Sequence, residues 1–167
     1  LVSVVDTELE YGYDEDWAFP AICMGQACEG WEYNSEDNYQ RDRDNRVVDI
    51  KLVSSQPKHL LGNNTDWAIG LYSRDQDEGL LRQYTYSIDD FVSQFDTSNR
   101  AVYGQLDMML SQDLTIIAGI RFENRTATYS DSDTVDHSVD ENLWAGRAAL
   151  QYNFDANTMI YGLLSRG

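Results

Sequence analysis

The side chains with the most obvious capacity for chemistry in this 167-residue chain are two cysteines, two histidines and 29 acids. Cys23 and Cys28 have four residues between them, which suits a small loop-stapling disulfide. A zinc site would need further ligands, and neither His59 nor His137 lies nearby in sequence. The acid clusters Asp14-Glu15-Asp16, Asp42/Asp44, Asp75/Asp77/Glu78 and Asp131/Asp133/Asp136 offer the oxygen donors that calcium takes. None has the ordered spacing and glycine of an EF-hand loop, so solvated loop charge is the simpler reading. Neither histidine sits in a nucleophile–base pattern, and no glycine-rich loop is built to cradle phosphate. A net charge of −17 opposes nucleic-acid binding. No enzyme, metal or cofactor chemistry is expected.

A second polar set is spaced by twos and fours. Gln105 and Asp107, then Arg121 and Glu123, then Arg147 and Gln151, and finally Arg166 recur along four successive segments. In an extended strand alternate side chains share a face, so each group needs a strand to aim it. Leu114–Arg125, LTIIAGIRFENR, puts Leu114, Ile116, Ala118, Ile120 and Phe122 on one face. Thr115, Ile117, Gly119, Arg121 and Glu123 lie opposite. Arg100–Leu110 and Leu143–Phe154 repeat the pattern, the latter with Trp144, Gly146, Ala148, Leu150, Tyr152 and Phe154 on its apolar side. In TMIYGLLSRG, Met159, Tyr161 and Leu163 are read as apolar-facing, and Ile160, Gly162, Leu164 and Arg166 as their opposites. Ser111-Gln112-Asp113 and Asp155-Ala156-Asn157 supply turns. The apolar stretch runs for about ten residues, as a strand crossing a bilayer beside a polar lumen requires.

The paired stretches GQLDMMLSQDLTIIAGIRFENR and LWAGRAALQYNFDANTMIYGLLSRG resemble the barrel of TonB-dependent outer-membrane receptors. The resemblance is good over residues 99–167, looser over 63–78, and only general in character over 1–60. It implies an all-β fold: an antiparallel meander of about seven transmembrane strands from a barrel of about 22. It also implies an outer-membrane location and contact with lipid. The implied partners are a plug domain, the TonB energy-coupling protein and an extracellular small-molecule substrate such as a ferric siderophore.

Other features fit that expectation. Further strands are predicted at Leu1–Tyr13, Arg46–Ser54 and Thr65–Arg74, the last with Trp67, Ile69 and Leu71 on one face. Residues 14–45, 75–98 and 130–141 read as longer loops and hold 20 of the 29 acids; a short helix is placed at Ser87–Phe95. Residues 55–64, 111–113 and 155–157 read as shorter turns, and such alternation marks the outer and inner ends of these barrels. Cys23 and Cys28 then fall outside, where disulfides persist. Trp67, Tyr152 and Phe154 near the short turns, with Phe122 and Trp144 near the long loops, form interfacial girdles in which Tyr161 is included. The whole of 1–167 is then one partial barrel domain, an internal piece of a longer protein, because seven strands cannot close so large a barrel. Acidic loops would disfavour strongly anionic substrates. A soluble secreted β-sandwich or barrel binding a ligand or calcium is the alternative, and it demands that Val102, Leu106, Ile116, Ile120, Ala148 and Leu150 form a buried core. A passive porin-like channel is a third reading.

Overall fold

The computed structural model describes residues 1–14, 35–55, 58–60, 63–155 and 157–167. Among these there is no helix. The strands are β1 (Val2–Asp14), β2 (Glu36–Val53), β3 (Lys58–Leu60), β4 (Asn63–Tyr84), β5 (Phe91–Met109), β6 (Leu114–Asp131), β7 (Asp136–Asn153) and β8 (Met159–Arg166). Seven of them pair in chain order, β1-β2-β4-β5-β6-β7-β8, every pair antiparallel. The three-residue β3 folds back on the start of β4. This is the expected all-β meander.

The sheet has a single layer, so neither face is covered by a second one. Among the described residues only Ala101 and Ala127 are buried apolar side chains. Val102, Leu106, Ile120 and Leu150 are 51%, 40%, 47% and 49% exposed. A soluble sandwich would bury them, and this sheet does not. They lie side by side because directly paired residues share a face. Val102 pairs with Leu71 and Phe122, Leu106 with Trp67 and Ala118, and Ile116 with Met108 and Leu150. A continuous apolar band results.

The band is shorter than its strands. On β6 it runs from Leu114 to Phe122, nine residues, the length a tilted strand needs to cross a bilayer. β6 then continues for nine more residues to Asp131, about 30 Å at full extension. β4 is 22 residues long. Where the expected loops are described, they are therefore largely strand. Residues 36–45 belong to β2, 75–84 to β4, 91–98 to β5, and 136–141 to β7. Among the described residues of those segments, the turns reduce to 85–90 and 132–135.

The helix placed at Ser87–Phe95 is absent. Phe91 opens β5 opposite Arg82, and Val92 pairs with Leu81. A helix there would have nothing against which to bury its apolar side, whereas extension continues two ladders. The turn is fixed locally, with Ser87 N donating to Tyr84 O at 3.0 Å and Ser87 Oγ to Asp89 O at 2.8 Å. In the 132–135 turn Asp131 Oδ1 accepts from the amides of Asp133 and Val135, both at 3.0 Å. Thr134 there takes a positive φ of 68°.

One strand has the opposite facing from that expected. Arg166 pairs with Gly146, Leu164 with Ala148 and Ile160 with Tyr152, so these lie on the apolar face. Tyr161 pairs with Gln151, and Leu163 with Ala149, on the polar face. MIYGLLSR is apolar at nearly every position, so alternation had little to grip, and a one-residue shift inverts a strand. Arg166 instead lies over the Trp144 ring, 3.9 Å from its centroid, in the manner of a long cationic side chain that covers apolar surface with its stem.

On the polar face a glycine serves as a notch. Tyr103 on β5 reaches across Gly70 on β4 to donate its hydroxyl to Asp49 Oδ1 on β2, at 2.8 Å. A methyl group at Gly70 would overlap the Tyr103 ring. Gly162 has open space around it. We expect Gly70→Ala to lower the stability of the full-length protein in lipid by about 1–2 kcal/mol, the cost of stranding a polar pair. Gly162→Ala should be near neutral. Urea unfolding followed by heat-modifiable gel migration measures both.

Candidate functional site

The polar face brings most of the spaced polar set together. Gln105 and Asp107 on β5, Arg121 and Glu123 on β6, and Arg147 and Gln151 on β7 all point the same way. They divide into two groups. In the first, Arg147 Nη2 donates to Gln105 Oε1, and Gln105 Nε2 donates to Asp107 at 3.1 Å. In the second, Arg121 Nε donates to Glu123 Oε2 at 2.8 Å while Asn99 Nδ2 donates to Glu123 Oε1 at 2.5 Å. Arg121 also sits 4.8 Å from the centroid of the Tyr72 ring. Gln151 joins neither group and donates to Asn153 at 3.3 Å. Arg166 is on the other face.

Between the two groups lies a hollow of about 340 Å³, lined by Lys51, Tyr103, Gln105, Gly119, Arg121 and Arg147 among others. Lys51, Tyr103, Arg74 and Asp49 were not anticipated as site residues. Their alternation was visible in the sequence, but only the register of β2 and β4 brings them beside Arg121. A larger hollow of about 600 Å³ lies on the apolar face at Ile50, Leu71, Val102 and Phe122. The band residues Trp67, Phe122, Trp144 and Tyr152 also belong to that face. Phe154 follows β7 and meets Tyr152 edge to face, with ring centroids 4.9 Å apart.

At the far end of the polar face, rings gather around one ion pair. Arg82 binds Asp37 through two nitrogens, at 2.8 and 2.7 Å, and Tyr39 Oη donates to Asp37 Oδ2 at 3.0 Å. Tyr39 stacks on Tyr11 at 5.0 Å, Tyr13 stands edge-on to both, and Arg82 lies 5.3 Å from the Tyr84 centroid. Asp37 is 5% exposed. The Arg82 guanidinium holds its carboxyl below the usual carboxylate range, while burial and the Asp37 bond push the Tyr39 hydroxyl up. Buried charge is tolerated here because it is paired and hydrogen-bonded.

The opposite face beyond the apolar band is acidic. Asp6, Asp44, Asp77 and Asp96 stand directly opposite one another across β1, β2, β4 and β5. Burial and the neighbouring Asp96 raise the Asp77 carboxyl. Arg100 binds Asp75 alongside, at 2.9 and 3.0 Å. Among the described residues no group of acids, histidines or cysteines converges as a metal ion requires. His137 is exposed, and Cys23 and Cys28 lie outside the described residues.

Opposite pH responses follow from these two carboxyls. The folded pKa of Asp37 is depressed, so its stabilisation is complete above about pH 4 and disappears as pH falls through the folded value. The folded pKa of Asp77 is raised, so its penalty grows as pH rises past the ordinary carboxylate value. Asp77→Asn should therefore stabilise the strand extensions slightly at pH 7, the gain being small because this exposed carboxylate is screened by solvent, and have no effect well below pH 4. Hydrogen exchange of the β4–β5 amides against pH, in the full-length protein, reads both effects.

With this geometry in hand, likeness to known proteins is informative. The family model described as "TonB dependent receptor-like, beta-barrel" matches residues 4–167. The ferric yersiniabactin uptake receptor FyuA of Yersinia pestis superposes with a TM-score of 0.62 at 14% identity, covering 97% of this chain and 24% of that one. The ferric citrate transporter FecA, in its unliganded form, superposes with a TM-score of 0.52 at 16% identity, covering 77% of this chain and 21% of that one. No curated protein matches in sequence. The chain thus spans about a quarter of the first structure's length and a fifth of the second's. Its single-layered meander and apolar band agree with the family match over nearly its whole length: the chain belongs to the TonB-dependent receptor β-barrel family.

Proposed function

We propose that this chain is the wall segment of an outer-membrane receptor that imports a scarce nutrient, a ferric siderophore complex, with energy from the TonB system. The observation that carries the reading is the apolar band. It is nine residues tall on β6, continuous across the strands, and exposed in a sheet with no second layer. In water such a surface would aggregate; in a bilayer it meets its proper solvent while the paired ladders leave no backbone group bare within the sheet. Trp67 and Tyr152 toward the inner rim, and Phe122 and Trp144 toward the outer, are the interfacial anchors. Phe154 extends the inner set beyond the end of β7.

The polar face then lines the interior. Gln105, Asp107, Arg121, Glu123, Arg147 and Gln151 meet water, the receptor's own plug domain and the solute in transit. TonB is engaged through parts outside this chain. Work here is by binding and displacement, with no bond in the cargo made or broken. The neighbours FyuA and FecA, described as an uptake receptor for ferric yersiniabactin and a ferric citrate transporter, favour a ferric chelate over other nutrients.

Deletion of the full-length gene should abolish growth on at least one ferric siderophore as sole iron source, with restoration by the intact gene and not by a gene lacking the TonB-contacting segment. The tagged protein should fractionate with outer membranes and shift its gel migration on heating. Recovery in the soluble fraction, or iron uptake unchanged by deletion, would refute the proposal.

A further inference from the structure

We infer that the lipid-facing side of β7 and β8 holds a site for the phosphate of a membrane lipid, formed by Arg166, Trp144 and Asn142. This rests on the membrane reading above and adds a ligand on the side of the wall turned away from the solute.

A single charge carries the inference. The apolar band consists of five rows of paired side chains, from the row of Leu114 and Tyr152 to the row of Phe122 and Trp144. Among the described residues of those rows, Arg166 is the only charged one. It pairs with Gly146, in the row of Ile69 and Ile120, one row inside Trp144. An uncompensated cation is costly at the middle of a bilayer and tolerable toward its edge, where it can reach an anion. One row is about 7 Å of strand, a distance that an extended arginine side chain spans.

The geometry leaves the guanidinium available. Arg166 is exposed and has no carboxylate or hydrogen-bond acceptor among the described residues. It lies over the Trp144 ring, 3.9 Å from the centroid. The indole in turn leans over Gly146, with Cζ3 3.5 Å from where a Cβ there would stand. Stacking on a ring orients a guanidinium while leaving its N–H fork free for two oxygens of a phosphate. Asn142 adds a donor in the next row outward. Its Oδ1 accepts from Asn124 Nδ2 at 3.3 Å, and its own amide N–H groups have no acceptor among the described residues.

The other charges of this face leave the β7–β8 side distinct. Asp6, Asp44, Asp77 and Asp96 lie across β1, β2, β4 and β5. Arg46 is paired opposite Asp75, and Arg100 is bound to both oxygens of that same carboxylate. On β6 the face continues outward as Asn124, Thr126, Thr128 and Ser130, all uncharged. The nearest acid on β7, Asp140, accepts from Asn124 at 2.9 Å and stands six residues beyond Gly146, roughly 20 Å of strand.

Depth selects the occupant. A soluble protein cannot reach a row inside the hydrocarbon, whereas a lipid brings its phosphate to the edge of that layer and its chains into it. Below Arg166, Ala148, Leu150 and Leu164 are apolar and meet those chains. The hollow of about 600 Å³ opens on the same face beside Phe122, the direct partner of Trp144, and is room for an acyl chain alongside.

The test uses the purified full-length receptor in a neutral detergent, with Arg166→Gln, Arg166→Lys and Trp144→Leu. Heat-modifiable migration verifies that each folds. Two lipids with the same acyl chains are titrated, dioleoyl phosphatidic acid and dioleoylglycerol, and native mass spectrometry counts the bound copies. The parent should hold phosphatidic acid about ten-fold more tightly than dioleoylglycerol. Arg166→Gln should remove that preference and leave the dioleoylglycerol affinity unchanged. Arg166→Lys should keep part of it, since a point charge replaces the planar fork. Trp144→Leu should weaken it about three-fold through loss of the ring that holds the guanidinium. Absence of a preference in the parent would overturn the inference, as would a preference that survives Arg166→Gln. An equal fall for both lipids would overturn it too, marking Arg166 as a support of the sheet. Displacement of phosphatidic acid by excess inorganic phosphate would assign the site to free anions and overturn the lipid assignment. Recovery of the tagged protein in the soluble fraction would refute the receptor reading itself, whereas an outer-membrane receptor without the preference sinks the inference alone.

Discussion

Strand alternation in a sheet one layer thick constrains everything else in this molecule. Each residue faces one side or the other, and no inner compartment exists to hide a misplaced group. The antiparallel ladders satisfy the backbone, so side chains are free to suit two different surroundings. Val102, Phe122 and Trp144 form one row on the apolar face; Tyr103, Arg121 and Ala145 form the adjacent row on the other. Buried apolar area, the usual driving term of a globular fold, is nearly missing, with only Ala101 and Ala127 enclosed among the described residues. Register takes its place as the property to be protected.

Two side chains protect it by spanning three strands. Tyr103 crosses Gly70 to reach Asp49, and Arg147 crosses Gly119 to reach Gln105. A slip of one residue would turn each long side chain to the wrong face and put a Cβ where the glycine gap had been. The pairs Arg121–Glu123 and Arg125–Glu141 add small increments of the size typical of accessible ion pairs. Such ties also orient the charges of the wall, so register and electrostatics are set by the same contacts.

Much of this was legible in the sequence. The alternation in LTIIAGIRFENR and LWAGRAALQYNF is strong enough to fix strand, face and neighbours, and the polar set from Gln105 to Gln151 was found by it. Three things were less legible, each for a physical reason. MIYGLLSR offers almost no contrast between faces, so Arg166 and Tyr161 came out inverted. The strand extensions are polar on both faces and so resemble loops; the β-forming residues of RTATYSD were the available clue. Lys51 and Tyr103 needed partners distant in sequence, and pairing across 54 residues to Asp49 does not announce itself locally. The tyrosines around Asp37 were missed for the same reason, since Tyr11, Tyr39 and Arg82 meet only through the β1–β2–β4 register.

The continuation of β6 past Phe122 has a consequence for how the molecule meets its surroundings. In the proposed membrane setting, the paired strands with hydroxyls and acids on their outer side form a collar beyond the apolar band, as tall again as the band itself. Anything tethered to the neighbouring lipids, such as a sugar chain, would brush against this collar rather than against the turns at 85–90 and 132–135. In that setting the turns would stand clear of the headgroup layer. In the receptor proposed above, a dilute solute would then first meet these paired extensions and their turns, beyond the level of the apolar band.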